Sequence, residues 1–472
     1  MGDRLICQTV TARTTAELRE RRDAAAGVDL VELRLDGVAD PDARGALDGR
    51  RLPAIVTCRP VWEGGAFSGS EEERHRLLEQ AVEAGAEYVD VEWRAGFRDS
   101  LIGRTSGAGL IVSVHDFAGI PDDLLSLHRA MRQTGASICK LAFTARRLTD
   151  VFAADGLAKD AGSRTTGPGR VGGTVVIAMG TAGMATRVLP GRFHSQWTYA
   201  GDCAPGQIPA ERLLTEFRFR EITPATAVYG VVGSRSGGSR SPSLHNAAFR
   251  AAGVDAVYLP LETADFSDFL AFADRLPLLG ASVTMPFKEV AMACAAEVDD
   301  IGRAVGAVNT LRRVSAGWSA TNTDVDGFLD PIRDLPLRGR RVAIIGAGGA
   351  ARAVAVAAGR CGARVSVFGR HLGRARLVAA LADGDAFEGV PGRGSWDLLV
   401  NATPVGASPD VDRTPVDAER LEGGVVYDLV YDPPVTRLMR EARAAGCRTV
   451  GGLDMLVAQA QRQNEWWTGA RS

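Results

Sequence analysis

The sequence predicts an α/β protein in two parts, a (β/α)8 barrel followed by a two-lobed α/β unit, on three observations. Eight short β-rich runs with helical stretches between them fill the first half: Leu5 to Ala12, Leu30 to Asp36, Ala54 to Pro60, Tyr88 to Trp93, Leu110 to Phe117, Ile138 to Ala145, Thr174 to Gly180 and Trp197 to Ala200. The pattern then restarts at AVYGVVG, after the turn-forming Thr223-Pro224. Further on, RRVAIIG runs as a strand into a glycine cluster and a helical stretch, with a second strand at Arg364 to Phe368. Eight consecutive βα units closing on themselves need roughly 200 to 250 residues, and the span to Thr223 fits. The predicted division is a barrel at 1–223, an α/β lobe at 224–330, a nucleotide-binding lobe at 331–452, and a helix at 453–472 that returns to the preceding lobe.

The 472 residues are 46% hydrophobic and 24% charged, ordinary for a chain able to bury large cores. A formal net charge of -2 argues against nucleic acid as a partner, because phosphate binding needs an excess of Lys and Arg. The seven cysteines are scattered, with no CxxC pair to begin a zinc or redox centre, so reduced thiols and no metal are expected. MGDRLICQTV has no apolar signal core, and the most apolar run, Val342 to Gly359, is interrupted by Arg352 and glycines. A cytoplasmic protein without a membrane span is expected.

In such a barrel the chemistry sits at the carboxyl ends of the strands, where the unusual polar residues of this half fall. Glu32 and Arg34 are two apart and point the same way along one strand. Arg59 ends the third run, with Glu63 four residues on; His115 ends the fifth, and Lys140 lies in the sixth. Arg187 follows the seventh run, and the loop Cys203 to Gln207 follows the eighth. A single histidine or arginine here would be ordinary scaffold, but all of them at one end of successive strands are not. A lysine desolvated between apolar neighbours loses its proton readily and attacks carbonyls, and an adjacent histidine can shuttle the proton. Arginines around it imply an anionic, hydroxyl-rich substrate.

ELR, the Arg59/Glu63 pair, His115, Lys140, MGTAGMATR and APGQ occur in the order found in type I 3-dehydroquinate dehydratases, and this half resembles that family. The resemblance implies an imine between Lys140 and the substrate ketone, with His115 moving the proton and Glu63 orienting the imidazole. It implies Arg187 on the substrate carboxylate, with Glu32, Arg34, Arg59 and Gln207 on the hydroxyls and carboxylate. Cys203 stands where the family usually has serine, and a thiol is the weaker hydrogen-bond partner. The glycine-rich stretch Gly156 to Gly173 reads as a loop without assigned function.

In the second half, Gly346-Ala347-Gly348-Gly349-Ala350 has a strand before it, a helix after it and a second strand at the right distance, the context of a Rossmann-type dinucleotide fold. Where an acid would hold NAD ribose hydroxyls, FGRHLGRA carries Arg370 and Arg374, which suit the 2′-phosphate of NADP. Ahead of it lie Ser239, Ser241, Thr284 and Lys288 in SVTMPFK, Asn309 and Asp324. With NATPVG (Asn401, Thr403), DLVYDPP (Tyr431) and the GGLDMLVAQA run (Gly452, Gln459), this half resembles shikimate dehydrogenase. The resemblance implies Ser239, Ser241 and Tyr431 on the carboxylate, and Thr284, Asn309 and Gln459 on the ring hydroxyls. Lys288 is then the proton donor with Asp324 beside it, and Asn401, Thr403 and Gly452 line the cofactor. GSRSGG and Ser282 depart from the family's usual residues, at positions expected on the rim.

Together the two resemblances imply consecutive steps, 3-dehydroquinate to 3-dehydroshikimate and then to shikimate. Two alternatives stay open on sequence alone: a quinate-oxidising fusion, and a metabolite-sensing regulator derived from such an enzyme pair.

Overall fold

The computed structural model describes residues 4–158 and 173–469. Eight strands, β1 (Leu5–Val10), β2 (Leu30–Arg34), β3 (Ala54–Thr57), β4 (Tyr88–Glu92), β5 (Leu110–Asp116), β6 (Ile138–Thr144), β7 (Gly173–Met179) and β8 (Trp197–Ala200), form one sheet in the order β7-β6-β5-β4-β3-β2-β1-β8. At the seam between β7 and β8, Gln196 N donates to Thr174 O (3.0 Å) and Val176 N to the buried Ser195 hydroxyl (3.0 Å), which rounds the sheet into a barrel. The eight β-rich runs of the first half are these eight strands. Of the glycine-rich stretch, Gly156 falls in the short helix Asp155–Ala158 and Gly173 opens β7; residues 159–172 lie outside the described residues.

Strand alternation explains how a barrel packed with apolar residues can carry chemistry. Cys7, Leu30, Ile55, Tyr88, Ile111, Ile138, Val175 and Trp197 belong to one buried apolar cluster. Two residues further along their strands come Thr9, Glu32, Thr57, Asp90, Ser113 and Lys140, all buried. The barrel interior is therefore an apolar floor beneath a polar level facing the carboxyl ends of the strands.

Two compact units divide the chain: the first takes the chain up to Ala227 together with Asp255–Leu276, and the second takes Val228–Val254 with the chain from Pro277. In the first unit, the fully buried Asp268 accepts hydrogen bonds from Leu148 N (2.7 Å), Thr149 N (3.1 Å) and Thr149 Oγ1 (2.6 Å), at the start of the 3-10 helix Leu148–Ala154. Phe152 packs on Phe272 with centroids 5.6 Å apart. The helix Phe266–Arg275 therefore packs on the 3-10 helix Leu148–Ala154.

Of the remaining strands, β9 (Ala227–Gly233), β10 (Ala256–Glu262), β11 (Leu278–Val283), β12 (Glu297–Val298), β13 (Thr310–Val314) and β14 (Gly317–Thr321) form a mixed sheet in the order β10-β9-β11-β13-β14-β12. The last six, β15 (Arg341–Ile345), β16 (Arg364–Gly369), β17 (Asp385–Glu388), β18 (Leu398–Asn401), β19 (Val425–Asp428) and β20 (Arg448–Gly451), form an all-parallel sheet in the order β17-β16-β15-β18-β19-β20. Counted from β15 this is the doubly wound 3-2-1-4-5-6 order, whose ligand crevice lies beyond the carboxyl ends of the first and fourth strands. The Gly349–Arg360 helix follows β15 and buries Ala351, Ala353, Ala355, Ala357 and Ala358, whose small side chains let it lie close on the sheet.

Two candidate active sites

In the barrel, the Lys140 amine donates to Asp90 Oδ2 (3.1 Å) and Glu32 Oε1 (3.4 Å) and lies 4.2 Å from the centre of the Tyr199 ring. The apolar surroundings expected for this amine are not what it meets. Cys139 and Leu141 flank it in sequence, but alternation along β6 turns them to the opposite face, and the amine faces the carboxylates of β2 and β4. Glu32 also accepts from Thr9 Oγ1 and Thr57 Oγ1, each at 3.0 Å. Burial alone would raise its carboxyl, but Lys140 and Arg34 outweigh that and hold it below the ordinary range.

Arg59 is likewise committed within the protein. Its guanidinium reaches Glu92 Oε1 (2.7 Å), Ser113 Oγ (2.8 Å) and Asp90 Oδ2 (2.9 Å), and Glu92 also pairs with the fully buried Arg74. Arg34 forms a two-pronged pair with Asp36 at 2.8 and 2.9 Å. Asp90 was not among the residues singled out from the sequence. The signal was present, since YVDVE repeats the one-strand, two-apart spacing of polar groups seen in ELR.

Backbone pairing sets Ser113 opposite Lys140, so His115 stands one side-chain level above the lysine on the adjacent strand. Its Nδ1 is 3.1 Å from Glu63 Oε1, which also accepts from the His115 backbone N (2.9 Å). Burial, with Arg59 and Lys140 nearby, pulls the imidazole well below its usual value, so the ring is neutral at pH 7. With Nδ1 turned to Glu63, Nε2 is the ring nitrogen placed to accept a proton in the Nδ1–H tautomer. Burial pushes the Glu63 carboxyl up to about 7 against the opposing pull of Arg59.

Arg187 is 2% exposed, donates from Nη2 to Pro205 O (2.9 Å), and has no hydrogen-bond partner at Nε. Desolvation draws its guanidinium down to about 10. A buried cation without a carboxylate partner is a receptor for an anion. In the loop after β8, Gln207 Oε1 gathers Cys203 N (3.0 Å), Cys203 Sγ (3.3 Å) and Ala204 N (3.1 Å), while its Nε2 donates to Thr9 Oγ1 (3.1 Å). Cys203 is exposed, and its thiol is a weak donor.

In the second unit, Lys288 opens the helix Lys288–Cys294 and its amine pairs with Asp324, at the start of the helix Asp324–Leu329. Asn309 Nδ2 donates to the other Asp324 oxygen (2.7 Å), to Thr323 Oγ1 (3.0 Å) and to Gln459 Oε1 (3.4 Å). Ser239 Oγ accepts from Ser241 N (3.1 Å) and hydrogen-bonds Tyr431, whose hydroxyl burial raises. Thr284 lies on the same turn as Lys288, its methyl against Gly233. Ser282, expected on the rim, is instead buried: it donates to Gln463 Oε1 (2.7 Å), and Gln463 in turn donates to Asn309 O (3.1 Å) and Thr310 Oγ1 (2.8 Å). Gln463 thus ties the helix Gly452–Thr468 to Asn309 and to Thr310, which opens β13, a role no sequence motif marked.

The nucleotide cradle fits a dinucleotide by its backbone. Gly346 has φ 115 and sits where a side chain would strike Ala402 O at 2.8 Å. Gly348 caps the following helix, with Ala347 before it and Ala350 inside the first turn. A side chain at Gly349 would meet Lys288 Cδ at 3.0 Å, so the cradle opens beside Lys288. Arg370 and Arg374, just beyond β16, are exposed. Asn401 is fully buried: it donates to Asp428 (2.9 Å) and accepts from Thr403 N (3.1 Å) and Oγ1 (2.6 Å), so it shapes the loop while Thr403 carries it outward. Gly452 is buried, with no room for a side chain against Leu429 O. Among the described residues no group of three or more His, Cys, Asp or Glu is placed to hold a metal ion.

Comparison with known proteins finds relatives for both halves of the chain. The family profile described as type I 3-dehydroquinase matches residues 6–224, and that of the shikimate dehydrogenase substrate binding domain matches residues 231–311. The shikimate dehydrogenase (NADP(+)) of Microcystis aeruginosa is 38% identical over 267 residues, covering 52% of this chain and 93% of that protein. A crystal structure of a shikimate dehydrogenase in complex with NADP+ is 30% identical, covers 53% of this chain and 92% of its own, and has a TM-score of 0.50. The shikimate dehydrogenase structure from Aquifex aeolicus is 31% identical over 53% of this chain and 96% of its own, also with a TM-score of 0.50. The Arabidopsis thaliana protein named bifunctional 3-dehydroquinate dehydratase/shikimate dehydrogenase, chloroplastic, is 36% identical over 507 residues, 98% of this chain and 82% of that protein. Matched along nearly its whole length to a relative that carries both names, this chain belongs to the family of bifunctional 3-dehydroquinate dehydratase/shikimate dehydrogenases.

Proposed function

We propose that this protein dehydrates 3-dehydroquinate to 3-dehydroshikimate and reduces that product to shikimate with NADPH. One observation carries the reading: a single chain holds two separate lysine–carboxylate centres, Lys140 beneath the His115–Glu63 pair, and Lys288–Asp324 beside the glycine cradle.

At the first centre, the substrate carboxylate pairs with Arg187 and its ring lies over Lys140. The amine condenses with the ketone, water leaves, and the resulting iminium draws electrons from the neighbouring C–H bond. His115 Nε2 takes that proton and returns it to the departing hydroxyl, which leaves as water; a second water then hydrolyses the product iminium and frees Lys140, while Glu63 fixes the ring orientation. Glu32, Arg34, Arg59, Cys203 and Gln207 shape the rest of the pocket.

At the second centre, Ser239, Ser241 and Tyr431 hold the carboxylate, and Thr284, Asn309 and Gln459 the hydroxyls. NADPH, when bound, supplies the hydride, with Arg370 and Arg374 on its 2′-phosphate. Lys288 gives its proton to the nascent alkoxide, and Asp324, oriented by Asn309, holds the amine in place. The division at 1–223, 224–330, 331–452 and 453–472, a cytoplasmic site of action and the absence of a nucleic-acid partner belong to the same proposal. No helix among the described residues is long and apolar enough to cross a membrane.

The test is to incubate the purified chain with 3-dehydroquinate and NADPH and follow shikimate. Borohydride added with 3-dehydroquinate should leave a reduced adduct on Lys140. Full dehydration by Lys140→Ala, or an adduct on another lysine, would overturn the assignment.

A further inference from the structure

The deepest charged group in the barrel site is one that no motif named. Asp90 is 0% exposed, and its carboxylate is held by Lys140 Nζ (3.1 Å) and Arg59 Nη2 (2.9 Å) at Oδ2, and by the Ser113 hydroxyl (2.6 Å) at Oδ1. Ser113 in turn accepts from Arg59 (2.8 Å), so the carboxylate, the guanidinium and the hydroxyl close a ring of contacts that fixes Asp90 on the lysine. Glu92 and Arg74 extend the alternation of charge behind Arg59.

We propose that Asp90 is the positioning residue for imine formation, a fixed anion that holds the Lys140 nitrogen in place and balances its charge from free amine centre to bound iminium. The proposal rests on the Lys140 imine described above. Overall, a protonated lysine and a ketone give an iminium and water: Lys140 yields a proton to His115 before its lone pair attacks, the C=N bond replaces the C=O bond, that proton returns to the oxygen as it leaves as water, and the nitrogen ends with the one positive charge it began with. An anion beside that nitrogen therefore need not gain or lose a proton, and a carboxylate pinned by two other donors need not reorganise as the bond forms. Glu32 faces the same nitrogen from 3.4 Å and is also held by the Thr9 and Thr57 hydroxyls, so it is the longer contact and has no guanidinium pinning it. Burial would push the Asp90 carboxyl up, but Arg59 and Lys140 overcome this and hold it well below the ordinary range, which makes it a permanent anion and a poor proton acceptor. Proton transfer stays with His115.

Asp90→Asn keeps the shape and removes the charge. Expected in the full chain is a fall of about 100-fold in the rate at which borohydride with 3-dehydroquinate traps the adduct, with a matching fall in kcat. KM should stay within threefold, because Arg187 holds the carboxylate. The deuterium isotope effect for substrate labelled at the carbon deprotonated by His115 should shrink, since imine formation becomes the slow step. A residue that only supports the fold would not move the isotope effect in that direction. Ser113→Ala, which frees one carboxylate oxygen, should act in the same direction more weakly, and urea unfolding of the barrel together with an unchanged KM reports that the variants are intact. Wild-type trapping rates, or an unchanged isotope effect in folded Asp90→Asn, overturn the proposal. If the wild-type chain traps no substrate on Lys140, the imine reading itself fails, and the two failures are distinct.

Discussion

Replacing Arg187 by methionine should stabilise the substrate-free protein while disabling its dehydratase. The guanidinium is 2% exposed, its Nε has no partner, and desolvation lowers it to about 10. That drop corresponds to about 3 kcal/mol of destabilisation of the charged form. A base with a lowered folded value binds fewer protons than the unfolded chain between its folded and unfolded values. The cost is therefore constant at neutral pH and is relieved only as pH rises through about 10. Methionine fills similar space without the charge, so Arg187→Met should raise unfolding free energy by about 1 to 3 kcal/mol. It should also raise KM for 3-dehydroquinate by about 10-fold to 100-fold, the worth of hydrogen bonds to a charged partner. Urea unfolding with and without 3-dehydroshikimate, beside dehydratase kinetics, reads both effects: ligand should shift the wild-type transition and not the variant's. A variant less stable than wild type, or one with unchanged KM, would show that Arg187 is a structural cation and refute the reasoning.

The pH profile offers a second check: with Glu63 near 7, kcat/KM for dehydration should fall as pH drops below that value and the carboxylate takes a proton, and Glu63→Gln should flatten this limb. Lys288→Ala should reduce hydride transfer by about 100-fold to 10,000-fold and leave dehydration intact; a loss below about tenfold would demote Lys288 to a binding role. Removing both Arg370 and Arg374 should raise KM for NADPH far more than for NADH, each contact contributing about 1.5 to 3 kcal/mol. Equal use of the two cofactors by the wild-type chain would place these arginines in solvent. Asp268→Ala leaves Leu148 N and Thr149 N without their acceptor and should destabilise the barrel unit by about 1 to 3 kcal/mol, read by urea unfolding. No change would show that residues 255–276 are dispensable to it.

Local pattern was enough for the elements. Each of the eight β-rich runs became a barrel strand, because short runs rich in β-branched residues between helical stretches can bury both faces only in a covered parallel sheet. The strand–glycine–helix passage at Ile345 to Ala350 was equally legible, since Gly346 and Gly349 stand where backbone or Lys288 leaves no space for a side chain. The misreading of the Lys140 surroundings shows where such reasoning stops. Its sequence neighbours are apolar, yet alternation turns them away, and its partners lie 50 and 108 residues distant.

What the sequence alone determined, then, was the set of strands and helices, the glycine cradle, and the roster of lysines, histidine and arginines at the strand ends. Tertiary structure decided which charges meet. It committed Arg59 to Asp90 and Glu92, left Arg187 without an anion, buried Ser282 against Gln463, and packed the helix Phe266–Arg275 on Leu148–Ala154. The physical reason is range: side-chain direction within a strand follows from a period of two residues, whereas an ion pair depends on which strands the closed sheet brings within about 4 Å, and no local spacing encodes that distance.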